Sequence, residues 1–475
     1  MSRRVSPEAR TGLSTRSAFL ALALAAPGSA QGAPDPVSFH ADVRPILQAS
    51  CQGCHQPAKA GAKLVLTGFA ELARGGKSGA AVVPGDPDAS LLVEEISPFG
   101  DLPPNMPKDR APLDAEALAL IRRWIAEGAV DDTPQALGPA VSREHPPAYT
   151  RPPVASALAF SPDGGLLAVS GANEVVLCRA QSGELAERLV GLSERIESLA
   201  FSPDGSRLAA AGGTPARMGE LQIWDVGARE LALSLPVTHD TIFGASWSDD
   251  GSRVAFGCTD HTVRAVDAKT GAEILYQGAH DDWVLDTAFS TDASHLVTVS
   301  RDRSMKLIKV ETQQFIDNIT SITPGALGGG LIAVARHPAR DELLVGGADG
   351  APKVFRMYRE KKRVIGDDYN LVRAYAALPG RIFGVAWSPD GERLAVCSSD
   401  HGKGTVRVYA AGAEEPLWSL ETAGALYALA FHPSGDVLAA GGAEGVVRYH
   451  DADTGWVVNE LVPAPLGLGR EETGS

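Results

Sequence analysis

Two cysteines and a histidine stand within five residues at Cys51, Cys54 and His55, in the stretch ASCQGCHQPA of residues 49–58. Only five cysteines occur in the 475-residue chain, so this crowding asks for a chemical reason. Three chemistries use such spacing. A dithiol redox pair opens a helix inside a βαβ pattern, and no such pattern surrounds residue 51. A zinc half-site needs two further Cys or His ligands close by, and only His40 is near. Covalent haem attachment uses all three residues, because two thioether links hold the porphyrin edge and the adjacent imidazole then ligates the iron. The pattern points to one covalent haem c on Cys51 and Cys54, with His55 as an axial iron ligand.

The opposite face of such an iron is usually filled by a methionine well downstream. Between residues 56 and 150 the one methionine is Met106, within DLPPNMPKDR, where prolines stiffen the loop at low entropic cost. The competing readings are Met106 as an apolar cap and His40 as the sixth ligand.

Short amphipathic helices are expected to position these groups. The periodicity predicts a helix over residues 37–48, with Val37, Val43, Ile46 and Leu47 inward, and shorter ones over 67–74 and 89–96. The clearest spans 114–127: Asp114 suits the N-cap, Leu118, Ile121, Trp124 and Ile125 share a face, and Gly128 suits the stop. The ordered run FHADVRPIL, CQGCH, VVPGDPDASLL, NMPK and RRWIAEGA resembles the planctomycete-type cytochrome c domain over roughly residues 38–130. That resemblance implies an all-α haem domain with haem c on Cys51 and Cys54 and with His55 and Met106 as axial ligands. The family usually has two prolines after the methionine, whereas here Pro107 and Lys108 follow it. GGKSG at residues 75–79 lacks the earlier glycine of a phosphate loop, since Glu71 stands there, so nucleotide binding is not expected.

A proline-rich stretch then leads into a different pattern. VASALAFSPDGGLLAVSG, IESLAFSPDGSRLAAAG, FGASWSDDGSRVAFGC, FGVAWSPDGERLAVCS and YALAFHPSGDVLAAGG are copies of one unit, with VLDTAFSTDASHLVTVS and IAVARHPARDELLVGG as weaker members. Their turns fall near Ser161, Ser202, Ser248, Ser290, His337, Ser388 and His432, a spacing of about 41 to 51 residues that suits four-stranded blades. Each copy runs from an alternating strand through a Pro/Asp/Gly turn into a second strand. The seven units resemble WD-repeat β-propellers over roughly residues 151–465, with Trp224-Asp225 as one literal copy of the namesake pair. The resemblance implies structural histidine–aspartate pairs at His239 with Asp260 and at His280 with Asp302. The isolated Cys178, Cys258 and Cys397 read as buried small hydrophobes. The basic run RMYREKKR of residues 356–363 reads as a solvated hairpin or as a docking patch for an acidic partner.

The fold class expected is therefore multidomain: a small all-α cytochrome c-like haem domain followed by an all-β seven-bladed WD-repeat propeller. Expected boundaries are a signal peptide over 1–30, haem domain 36–131, linker 132–150, propeller 151–465 and tail 466–475. The signal rests on Arg3, Arg4, Arg10 and Arg16 before the apolar run AFLALALAA. No later window is apolar enough for a membrane helix, and a net charge of −15 argues against nucleic acid as the main partner. The reading that follows is an exported, periplasmic c-type cytochrome passing single electrons to a redox partner protein, its propeller serving as a platform for a bound protein or ligand. A propeller oxidoreductase feeding electrons to the haem, and a non-catalytic scaffold, are the alternatives. No catalytic motif stands out in the propeller.

Overall fold

Five of the seven repeat units carry a serine followed two residues later by an aspartate, and this pair builds the turn between a blade's first two strands. In the second blade the Ser202 hydroxyl donates to Asp204 Oδ1 at 2.6 Å and accepts from Arg207 N at 3.0 Å, while Ser206 N donates to the same aspartate oxygen at 3.0 Å. Gly205 closes the turn at φ +72°, in the left-handed region where a side chain is strained. Ser161, Ser248, Ser290 and Ser388 repeat the hydroxyl–carboxylate bond to Asp163, Asp250, Asp292 and Asp390. His337 and His432 replace the serine in blades 5 and 7, where each ring accepts a backbone N–H two residues on, from Ala339 and Ser434.

The computed structural model describes residues 35–56, 59–100, 102–108, 110–133, 141–278, 280–321, 327–364, 366 and 368–466. The expected signal segment of residues 1–30, and the tail beyond residue 466, lie outside the described residues. Seven four-stranded antiparallel sheets follow one another, each made of consecutive strands. Blade 1 comprises Leu158–Phe160, Leu166–Ser170, Glu174–Arg179 and Leu185–Val190; blade 2 comprises Arg195–Phe201, Arg207–Thr214, Met218–Asp225 and Glu230–Thr238. Blades 3 to 7 span residues 242–277, 284–318, 331–374, 381–422 and 426–461.

The middle strands are runs of small and apolar residues because both of their faces are covered by neighbouring blades. The buried clusters follow the interfaces one by one. Ala209, Ala211, Leu221 and Ile223 of blade 2 meet Trp247, Val254 and Phe256 of blade 3, and Leu158, Phe160 and Leu167 of blade 1 meet Ala428, Ala439 and Tyr449 of blade 7. That last cluster closes the ring without exchange of strands. Ala155 N donates to Gly442 O at 3.0 Å across the seam, and Tyr149 bridges Leu466 while its hydroxyl donates to Glu174 Oε1 at 2.8 Å. Cys178, Cys258 and Cys397 are buried, as their apolar surroundings in the sequence lead one to expect.

The N-terminal part is a small helical unit with, among the described residues, four short α-helices: α1 (Arg44–Ser50), α2 (Phe69–Arg74), α3 (Leu91–Ile96) and α4 (Ala115–Ala126). Asp114 caps α4 by accepting Ala117 N at 2.7 Å, and Ile121, Trp124 and Ile125 turn inward. Phe39, Phe69 and Trp124 form an aromatic core in which Phe69 stands edge-on to both other rings, with Phe39 5.2 Å from Phe69 and 5.3 Å from Trp124. The helix expected over residues 37–48 begins instead as a π-helical turn, Phe39–Val43, before α1. Pro45 has no N–H to give to an α-helical ladder there, and Val43 N reaches back five residues to Ser38 O at 3.2 Å.

Candidate functional site

The Cys/His motif sits where α1 ends. Cys51 N donates to Leu47 O at 2.9 Å, and the N–H groups of Cys54 and His55 both donate to Cys51 O at 3.1 Å, which winds the motif into a tight turn. Gln52, 4 % exposed, pins the turn inward by donating from Nε2 to Leu66 O at 2.9 Å. Cys51 is half-buried, Cys54 is exposed, and neither forms a disulfide. Burial, then the neighbouring Cys54, pushes the Cys51 thiol up to about 12.

His55 Nδ1 lies 3.2 Å from Leu64 O. A carbonyl can only accept, so Nδ1 donates to it, a bond of the kind that orients a ligating imidazole. Met106 packs, half-buried, on the same apolar core as Cys51, and its N–H donates to Glu95 O at 2.9 Å. His40 stands on the surface turn, where its Nδ1 accepts from Arg44 Nη1 at 3.4 Å. The Gln56 side chain is fully buried, and neither polar atom has a partner among the described residues. Among the described residues no cluster of three or more His, Cys, Asp or Glu gathers as for a bare metal ion.

A second concave region lies at the centre of the ring, a cavity of about 1650 Å³. Its wall has a simple register: the second residue of the aligned first-strand motif faces inward in every blade, giving Ser156, Glu197, Phe243, Leu285, Ile332, Phe383 and Tyr427. The rim carries aromatic rings and charges of both signs, its arginines standing beside Glu194, Asp282 and Glu444. Phe243 stacks with Trp283 at 6.1 Å, Arg301 lies 4.6 Å over the Trp283 ring, and Phe383 meets Tyr427 edge-on at 5.4 Å. Arg195, Arg303 and Arg381 are exposed at the cavity, and none is in an ion pair among the described residues. The next register position holds small residues such as Ser198, Gly244, Ala333, Gly384 and Ala428, but blade 4 has Asp286 there. Its carboxylate accepts from Thr287 N and, in blade 5, from Val334 N, both at 2.9 Å. Burial raises it to about 7 despite those two bonds.

His280 and Asp302 pair as expected, with Nδ1 2.8 Å from Asp302 Oδ2 and Nε2 2.7 Å from the Thr298 hydroxyl. Burial lowers the His280 pKa, so the neutral ring donates to the aspartate and accepts from the threonine. The second expected pair is not made. Asp260 binds Arg264 at 2.7 Å and Thr262 at 2.5 Å, and His239 is exposed. The basic run is partly consumed internally: Arg359 and Arg363, only 8 % and 18 % exposed in their side chains, flank Asp317 on blade 4 at 3.3 and 2.9 Å. Among the described residues no helix is long and apolar enough to cross a membrane.

The family model for planctomycete cytochrome C matches residues 51–109, and that for the WD domain, G-beta repeat, matches 273–309, 373–409 and 414–451. The larger unit is a WD-repeat propeller. Curated relatives of this WD-repeat chain are eukaryotic translation initiation factor 3 subunit I from Emericella nidulans, 27% identical over 229 residues, and from Coccidioides immitis, 28% identical over 238. These alignments cover 48% and 50% of the chain and 54% and 56% of the relatives. The subunit from Candida glabrata is 24% identical over 219 residues, 45% of the chain and 50% of the relative. The chain thus spans about half the length of the curated relatives it matches.

These relatives correct the functional expectation. An exported, periplasmic carrier of single electrons does not agree with a chain half of which aligns with subunits of a translation initiation factor. That expectation leaned on a five-residue motif and on residues 1–30, whereas the repeats make up most of the chain. The periplasmic location falls with it, the redox partner is left without support, and of the alternatives the non-catalytic scaffold is the one favoured. The rim of the propeller cavity was missed in the sequence. Its signal was available in the register of the first strands, where IFG, LYA and IFG recur one residue out of step with the core pattern.

Proposed function

We propose that the chain is a non-catalytic scaffold whose WD-repeat propeller docks another protein at the cavity mouth, through an acidic segment of that partner. The observation that carries this reading is the set of exposed arginines, Arg195, Arg303 and Arg381, around paired aromatic rings. Arginine and aromatic side chains concentrate binding energy at protein interfaces, and unpaired guanidinium groups favour carboxylates. The relatives are named as a subunit of a larger factor, which supports a role within an assembly. The test is co-purification of tagged full-length chain from its native cells, comparing wild type with Arg195→Glu/Arg381→Glu. Loss of the same partner set from a still folded variant supports the proposal. An unchanged set refutes it.

A separate proposal concerns the N-terminal unit: residues 36–131 form a cytochrome c-like haem domain, joined by the linker of residues 132–150 to the propeller of residues 151–465. Cys51 and Cys54 would hold haem c by thioether links, with His55 and Met106 as axial ligands. The free thiols, the oriented His55 ring and the partnerless Gln56 side chain in the adjacent core support that fit. A haem there would supply an iron suited to one imidazole and one soft thioether ligand. Intact mass of native material should show one added haem that Cys51→Ala/Cys54→Ala abolishes, and native protein of bare polypeptide mass would overturn it.

A further inference from the structure

The two residues between the cysteines point in opposite directions, and each has a job. Gln52 reaches into the N-terminal core. Gly53 is buried too, but against the propeller: a Cβ on it would lie 2.5 Å from Ser234 O and 3.4 Å from Pro236 Cδ. Ser234 and Pro236 belong to Glu230–Thr238, the outer strand of blade 2, an edge that a propeller otherwise leaves to solvent. Helix α1 and the short strand Lys59–Ala60 pack on the same strand.

The receiving strand is held firmly. The Ser234 hydroxyl donates to the fully buried Glu220, whose other oxygen accepts from Ser193 Oγ at 2.7 Å and from Gln222 Nε2 at 2.8 Å. Trp224 Nε1 extends the network by donating to Gln222 Oε1 at 3.0 Å. The side chains of Ser234, Glu220, Ser193, Gln222 and Trp224 are all joined in this network, so Ser234 cannot step aside for a side chain on Gly53 without unmaking buried hydrogen bonds. Charge opposes the contact at one point, where Arg44 of α1 lies close enough to Arg217 for their like charges to repel. The fit is steric.

We propose that the turn of residues 51–54 is a latch that fastens the N-terminal unit to blade 2, and that Gly53 stands between the cysteines because the latch closes on the Ser234 carbonyl. The turn therefore has two faces with two tasks. Gly53 meets the propeller, while the exposed Cys54 side chain stays open to whatever is attached there. This assignment is independent of haem.

The experiment uses the full chain and amide hydrogen exchange over Glu230–Thr238, together with protease cleavage within residues 141–148. Gly53→Ala should speed exchange in that strand at least tenfold and accelerate cleavage, with exchange in blade 5 unchanged. Pro236→Gln, which adds bulk from the propeller side, should do the same, whereas Gly278→Ala, whose added Cβ meets open space, should change nothing. Should Gly53→Ala unfold the N-terminal unit, Pro236→Gln decides alone. Wild-type exchange in Pro236→Gln, or release by the Gly53 variant only, overturns the latch.

Discussion

Asp286 gives the sharpest physical test, because it puts a carboxyl where the other blades put Ser, Gly or Ala. Its folded-state pKa is raised from 3.8 to about 7 by burial. The sign follows from proton counting: between these values the native state binds the proton and the unfolded state does not, so stability falls as pH rises from about 4 to 7. Three pKa units at ~1.4 kcal/mol each set an upper bound of ~4 kcal/mol. The carboxyl borders a large open cavity, so solvent screening reduces the expected loss to roughly 1–2 kcal/mol. Other groups titrate nearby, since His280, His295, His337 and His450 are all lowered by burial and gain stability in the opposite direction. The informative quantity is thus the difference between wild type and Asp286→Asn in denaturant stability at pH 4.5, 6 and 8. Asn keeps one acceptor and loses the bond to Thr287 N or Val334 N, which costs about 1 kcal/mol at acid pH. That deficit should shrink or reverse by pH 8. A deficit constant across the range would refute the claim that Asp286 holds its proton.

Two further outcomes follow from the turns and loops. Ala293 occupies the left-handed position that glycine fills in five other blades, at φ +56°; Ala293→Gly should therefore raise stability by about 0.5–1 kcal/mol, strain relief exceeding the added chain entropy, as read by chemical denaturation. Asp302→Ala should lower it by roughly 2–4 kcal/mol, because His280 Nδ1, Asp281 N and the Ser304 hydroxyl lose a common acceptor; a loss under 0.5 kcal/mol would show that the network is ornamental to stability.

How much of this was legible in the sequence depended on whether a residue's role is local. The Ser/Asp turns and the Asp114 cap are written within five residues of chain, so each could be read directly. The inward face of α4 follows likewise from a single helical period. Where a role depends on a partner far along the chain, the sequence was silent or misleading. Asp260 has a nearer cation in Arg264, which overrode the expected pairing with His239. Arg359 and Arg363 read as a solvated patch because Asp317, more than forty residues away, cannot be seen from RMYREKKR. Gly53 looks like spacing between two thiols until Ser234 is placed against it. The functional reading went astray for a related reason: a compact motif at Cys51, Cys54, His55 and Met106 is easy to read, whereas a binding face is spread over seven blades.

The make-up of the ring has a consequence for its synthesis. Each blade is complete in four successive strands, so none must wait for a strand made much later. A nascent chain can therefore finish blade 1 as soon as residue 190 clears the ribosome, and each later blade can add onto a finished neighbour. The seam joining blades 7 and 1 comes last in this order, when Tyr149 and Ala155 meet Leu466 and Gly442. Ring closure is then a single late docking of two preformed surfaces, and its loop-closure entropy is met once, after nearly all of the local contacts already exist.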